Sequence, residues 1–235
     1  MLAKMIDKII SLKDTKTFLI NGENYSDREL YRIKPVMNHP SRIRVSGLDG
    51  ICKIIRKEYL RNGNMFVQID DYNRVTVFTE YKEDYLRDVV YEALSDVPGF
   101  MEGWRERNDV IIKLRSLFIP NEGSKYLLEL LSKMSEESNV STTDNGITQV
   151  VEAKQGVSLK ANVPVKPIVK LTPFRTFLEV EQPSSDYLVR VREGEIGLFE
   201  ADGGVWKLEA KQNIAAFLEK QLADMIEIGQ VTILK

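Results

Sequence analysis

Cysteine and histidine are nearly missing from this 235-residue chain, which holds one of each, Cys52 and His39. A lone cysteine cannot close an internal disulfide, so the fold must rest on its core alone, as suits a reducing compartment. A lone histidine excludes a His-rich metal site, and any Ser-His-Asp or Cys-His arrangement would have to run through His39 itself. That residue stands in MNHPSR, ahead of Pro40, a context that predicts a turn. Long apolar runs are missing as well, and nothing approaches the roughly 20 residues a membrane helix requires. Lys4, Asp7 and Lys8 interrupt the apolar pattern at the start of the chain and so break any signal-peptide core. The formal net charge of -2 supplies no global field for nucleic acid or an acidic membrane, although local patches stay open. No Walker lysine pattern or dinucleotide fingerprint occurs, so no cofactor is expected. These absences describe a soluble intracellular protein.

Hydrophobic residues make up 43% of the chain and charged residues 29%, an ordinary globular balance. Leu2, Met5, Ile6, Ile9 and Ile10 are spaced as on an amphipathic helix, and KTFLI then reads as extended. Ser46 is a plausible N-cap for a helix with Leu48, Ile51, Cys52, Ile55 and Tyr59 on one face, which makes Cys52 a buried, inert thiol. Met65, Val67 and Ile69, the turn DDYN, and Val75 with Val77 form a hairpin signature. Asp70, Asp71 and Asn73 suit that turn better than a calcium loop, whose central Gly and late Glu are not there.

Strands are expected around Asp88 to Leu94 and Asp109 to Ile119, the second needing a bulge to keep Leu117 and Ile119 on the face of Val110, Ile112 and Leu114. A helix follows with Tyr126, Leu127, Leu130, Leu131 and Met134. SEESNVSTTDNG then marks a polar linker over 135–148, dividing an N-terminal subdomain, 1–134, from a β-rich one, 149–235, with one long helix. In the latter, VSLKANVPV alternates throughout, and Pro164, Pro167 and Pro173 make its strand an edge or end it soon. Tyr187 to Val191 and Ile196 to Leu198 form another hairpin. MIEIGQVTIL reads as one strand or a tight pair near Gly229. The fold class is α+β: mainly antiparallel sheet, about ten strands, with about four helices packed on faces or edges.

The stretch LFEADGGVWKLEA looks like a site and reads better as a corner. Asp202 is a candidate N-cap, Gly203 and Gly204 permit unusual backbone angles, and Trp206 opens the buried face of a helix. Glu200 and Asp202 would repel a phosphate at that turn. Spaced by two, they could share a strand face for acid-base or metal-assisted hydrolysis, but no second catalytic cluster accompanies them. No catalytic and no metal-ligating residue is therefore assigned. In LTPFRTFLEVEQPSS, Arg175 could pair with a carboxylate, Glu179 or Glu181 among them, to fix a junction, or could bind an outside anion. Three arginine pairs remain: Arg42 with Arg44, Arg105 with Arg107, and Arg190 with Arg192. Converging on one surface, they would track a phosphate backbone, with Trp104, Phe174 or Tyr187 to stack on bases. Apart, they would be solvated strand faces.

DNGITQ, LTPFRTFLEVEQPSS and LFEADGGVWKLEA, in this order, resemble a family of uncharacterised phage and prophage proteins, YfdQ-like in a broad sense. The likeness is clearest from about Thr143 to Leu222; before it, GWRERND follows the family's Gly-Trp-Arg only at its start, so nothing is carried over to Arg107. The resemblance implies a viral gene product in the host cytoplasm and assigns no catalytic residues. The leading expectation is a non-enzymatic protein working as a homo-oligomer through its proline-marked strand edges. A nucleic-acid-binding accessory for phage replication or recombination is the alternative, and a metal-dependent hydrolase the third. No membrane partner is expected.

Overall fold

The computed structural model describes residues 5, 16–20, 23–26, 42–81, 87–134, 139–144, 149–155, 158–192 and 195–235. Contacts divide the chain into two compact units, Met1–His39 and Pro40–Lys235. In the first, β1 (Thr17–Ile20) pairs antiparallel with β2 (Glu23–Ser26). Except for Met5, which is helical, the amphipathic pattern of Leu2 to Ile10 lies outside the described residues, as does His39.

The second unit begins with β3 (Ile43–Val45) and α1 (Leu48–Asn62). Leu48, Ile51, Cys52 and Ile55 recur at helical spacing and are buried, so burial of one face drives this helix. Its N-cap is Gly47 rather than Ser46, with no side-chain cap of its own. Glu179 supplies the acceptor from a distant segment, taking a hydrogen bond from the Asp49 amide at 3.3 Å. Burial pushes the Cys52 thiol up to about 12, with Asp49 adding to the shift, so it stays protonated and inert. Then come β4 (Met65–Asp71), β5 (Arg74–Thr79) and β6 (Val89–Leu94), the first two joined by the expected tight turn at Tyr72 and Asn73.

After β7 (Gly103–Glu106), the strand expected over 109–119 is instead α2 (Arg107–Ser116). Val110 and Leu114, one helical turn apart, are buried, whereas Ile112 between them is 63% exposed. An apolar residue on the solvent side imitated a two-residue period, and the need for a bulge was the warning sign. α3 (Glu122–Lys133) opens with a capping box in which Asn121 accepts from the Ser124 amide at 2.8 Å and the Ser124 hydroxyl accepts from the Asn121 amide at 2.9 Å.

Part of the polar segment 135–148 is itself a strand, β8 (Asn139–Asp144), paired with β9 (Gln149–Gln155). Its Val and Thr residues suit a sheet, and their polarity had suggested a linker. β10 (Ser158–Val165) is an edge of this three-stranded sheet, as its prolines required. The chain continues through β11 (Ile168–Leu171), β12 (Ser185–Arg192), β13 (Glu195–Glu200), α4 (Trp206–Gln221), α5 (Ala223–Glu227) and β14 (Val231–Leu234). Only the end of MIEIGQVTIL is thus a strand; Met225 to Glu227 belong to a helix that buries Met225.

Two sheets organise the unit: β14-β4-β5-β6-β3, with parallel pairs at both edges, and the antiparallel β11-β12-β13-β7. Each draws strands from both sides of 135–148, so that segment falls inside one compact unit. The α+β class, mostly antiparallel, is as expected, with five helices among the described residues. One core joins the inner face of the five-stranded sheet to α1 and α4, including Val67, Val77, Ile51, Ile214 and Leu218. The other joins the four-stranded sheet to α2 and α3, including Leu114, Leu127, Tyr187, Val189 and Ile196. The segments 95–100 and 173–183 lie in the connections from β6 to β7 and from β11 to β12.

Candidate functional site

The five arginines singled out for nucleic acid do not converge on one surface. Arg190 and Arg192 do share a face of β12, and the Arg192 guanidinium lies 4.0 Å from the Trp104 ring centre, above Gly197 of β13. A Cβ at Gly197 would press on both Trp104 and Phe199, which is why the smallest residue stands under that ring. Glu195 and Glu106 pair on the same face, and Glu195 binds Arg192 at 3.0 Å, so charge there is balanced. Arg105 sits opposite buried Ile196 and is tied to Asp109 and the Met101 carbonyl. Arg107 donates to the carbonyls of Leu131 and Met134, closing the C-terminal end of α3.

Arg42 and Arg44 belong to a different group, on the outer face of the five-stranded sheet. The register aligns Arg44 with Glu92 and Glu92 with Thr76. Glu92 is buried by the arginines around it: Arg44 Nε at 2.8 Å, Arg42 at 3.4 Å and Arg74 Nε at 3.8 Å. Asp70, bonded to Thr76 on the same face, adds a second carboxylate, so the three arginines leave one positive charge to which Arg87 adds, and the side chains of Arg44 and Arg74 are 68% and 55% exposed. Burial pushes the Glu92 carboxyl up, but hydrogen bonds from Arg44 and Arg42 outweigh it and hold it below the usual range. A depressed carboxyl stabilises the fold above its unfolded value of about 4.3, and that contribution is lost as pH falls through the folded value. Glu92→Gln is therefore expected to lower stability by about 1 kcal/mol at neutral pH, the exposed arginines being screened. It should also flatten the acid limb below about pH 4.3, which urea unfolding at stepped pH would read.

On that face, one row along, Phe66 of β4 stacks on Phe78 of β5 with ring centres 5.6 Å apart. The Arg87 guanidinium lies over both, at 4.7 and 5.4 Å, and 4.1 Å from the ring of exposed Tyr81. Arg87 makes no hydrogen bond or ion pair among the described residues, so its donors stay available. These residues escaped the sequence reading because Phe66 and Phe78 occupy the solvent side of a pattern read for its buried side. Only the register reveals them as neighbours.

The remaining singled-out residues meet at the corner of β13 and α4. Arg175, its side chain 5% exposed, binds Glu200 at 2.7 Å, the Ser185 hydroxyl at 2.5 Å and the Pro183 carbonyl at 3.2 Å, and lies 4.0 Å from the Trp206 ring centre. Glu200 also accepts from the Tyr187 hydroxyl at 3.2 Å and from Trp206 Nε1 at 3.1 Å. Arg175 therefore pairs with Glu200, not with Glu179 or Glu181; Glu181 gives its carbonyl to Asn213. Desolvation raises the Tyr187 hydroxyl far above its ordinary value, with neighbouring Glu200 acting in the same direction against Arg175.

Asp202 accepts from the Gly204 amide at 3.0 Å, and the N-cap of α4 is Val205. Asp202 is thus not the N-cap expected of it: it closes an Asx-type turn through Gly203 and Gly204, at φ of 64° and 82°, and the cap falls three residues later. Glu200 and Asp202 have separate partners and do not act as a carboxylate pair. Among the described residues no group of three or more His, Cys, Asp or Glu is placed to hold a metal, and no helix is long and apolar enough to cross a membrane.

Compared with known proteins, the chain matches no family model, no curated protein and no solved structure.

Proposed function

We propose that the outer face of the five-stranded sheet binds single-stranded nucleic acid, as a binding module that catalyses no reaction on it. The observation that carries this reading is one face holding an aromatic pair under Arg87 beside Arg42, Arg44 and Arg74 around Glu92. Unpaired bases have faces that stack on aromatic rings and arginine planes, while surplus guanidinium charge tracks the phosphates. The Trp104 face offers similar rings, but its acidic partners neutralise its arginines, and charge decides between the two. A role in phage replication or recombination rests on the sequence resemblance.

The test is fluorescence anisotropy of a labelled single-stranded oligonucleotide over a salt series. The native chain should bind at low salt. An Arg44→Ala, Arg74→Ala, Arg87→Ala variant should flatten the salt slope by about 2, near 0.7 per lost phosphate contact. Phe78→Leu should weaken binding about tenfold through lost stacking, at an unchanged slope. No anisotropy change at low salt would remove the proposal.

A second reading, action through a homo-oligomer, is favoured by the open sheet edges, where β3 presents exposed Ile43 and β10 ends the three-stranded sheet. A discrete multimer by light scattering on a sizing column would support it, and a monomer across the practical concentration range would end it.

A further inference from the structure

A cavity of about 260 Å³ lies beside the Arg175–Glu200 pair, lined by residues of both sheets: Tyr72 and Asn73, Ser95 and Val97, Phe100, Tyr187 and Trp206 among them. We infer that this cavity binds one neutral planar heteroaromatic ring of the purine or pyrimidine class.

Its walls are suited to flat faces. Trp206 and Tyr72 form one edge-to-face pair, ring centres 4.8 Å apart, and Phe100 and Tyr187 another at 6.2 Å. Tyr187 and Trp206 are buried, so the half-buried rings of Tyr72 and Phe100 are the surfaces on which an inserted planar ring would stack. The volume is below the few hundred to a thousand Å³ typical of drug-sized sites, which points to a one- or two-ring molecule.

Polar groups on the lining have no protein partner. The side chains of Asn73 and Tyr72, both half-buried, make no hydrogen bond among the described residues. An amide and a phenol, each able to donate and to accept, match the mixed edge of a base; a hydrocarbon ring would leave both without a partner. Charge excludes an anion as the preferred occupant. The Arg175 guanidinium is already bound to Glu200, and a second carboxylate, Glu102, accepts from the Glu200 amide at 2.9 Å.

The base has two possible sources, a free nucleoside or one nucleotide of a strand, because Tyr72 and Asn73 form the β4–β5 turn of the sheet proposed to bind nucleic acid. The inference does not depend on that proposal, since nucleosides can bind whether or not the sheet takes a strand. Trp104→Phe leaves Trp206 as the remaining tryptophan and so reports the cavity. Its emission would be titrated with adenosine, guanosine, cytidine and uridine, then with strands of about twelve nucleotides, intact or wholly abasic. The expected result is a saturable change with at least one nucleoside, or with the intact strand and not the abasic one. The first outcome assigns a free ligand and the second a strand base. Val97→Phe, made at the half-buried lining without touching the ion pair, should weaken that response about tenfold or more. No saturable response in either arm, or a response that Val97→Phe leaves unchanged in a chain folded by circular dichroism, would overturn the inference.

Discussion

Arg175→Met is expected to cost about 4 kcal/mol of stability, within the range for breaking a buried ion pair, and to lower the melting temperature by about 10 °C. The side chain makes few contacts that water could replace. One guanidinium holds the Glu200 carboxylate, the Ser185 hydroxyl and the Pro183 carbonyl and stacks on Trp206, joining the 173–183 segment to β12, β13 and the start of α4. Methionine approximates its volume and supplies none of its donors. Glu200 would keep Tyr187 and Trp206 as partners but lose its cation. Arg175→Lys should recover little, because a point charge cannot span the fork. Guanidinium-chloride unfolding of Arg175→Met, Glu200→Gln and the double variant would show a coupling of about 2 kcal/mol or more if the two act as a unit. A loss under about 1 kcal/mol for Arg175→Met would mean that this corner is held by packing alone.

That pairing shows how far the residues themselves carry the structure. The sequence marked LFEADGGVWKLEA as a corner and left Arg175 open between a carboxylate partner at a junction and an outside anion, without identifying Glu200. Which carboxylate lies within reach depends on the antiparallel register of β12 and β13, which side-chain spacing alone does not set. The strongly periodic helices, α1, α3 and α4, were legible because one buried stripe dominates each. α2 was not, since Ile112 on its exposed side turned a four-residue period into a two-residue one. The face of Phe66, Phe78, Arg87 and Glu92 was hidden for a related reason. Its members come from three strands and the loop before β6, and each looks like an ordinary outward residue until the strands are set side by side.

The second large effect concerns a glycine with ordinary backbone angles. Gly123, in the first turn of α3, lies against β11 so closely that a Cβ would run into the Lys170 carbonyl oxygen, with Val169 Cγ1 at 2.8 Å and the Lys170 carbonyl carbon at 3.1 Å. By helix propensity alone, Gly123→Ala would stabilise the protein by up to about 1 kcal/mol. The obstruction is backbone, which cannot swing aside as a flexible side chain would. Relief requires α3 to move off β11, pulling Asn121 Nδ2 from the Lys170 carbonyl at 3.3 Å and the Thr172 hydroxyl at 3.1 Å. Overpacking of this kind costs about 1–3 kcal/mol and occasionally more, so the clash outweighs propensity and a net loss of about 2 kcal/mol is expected. Gly203→Ala separates this effect from backbone strain: nothing lies within 4 Å of its added Cβ, but its φ of 64° is left-handed. It should lose about 1 kcal/mol from conformation alone. Gly99→Ala, with open space and no positive φ, should be neutral or slightly stabilising. If Gly123→Ala proved as stable as Gly99→Ala by urea unfolding, α3 would not be seated on β11 as closely as these distances require.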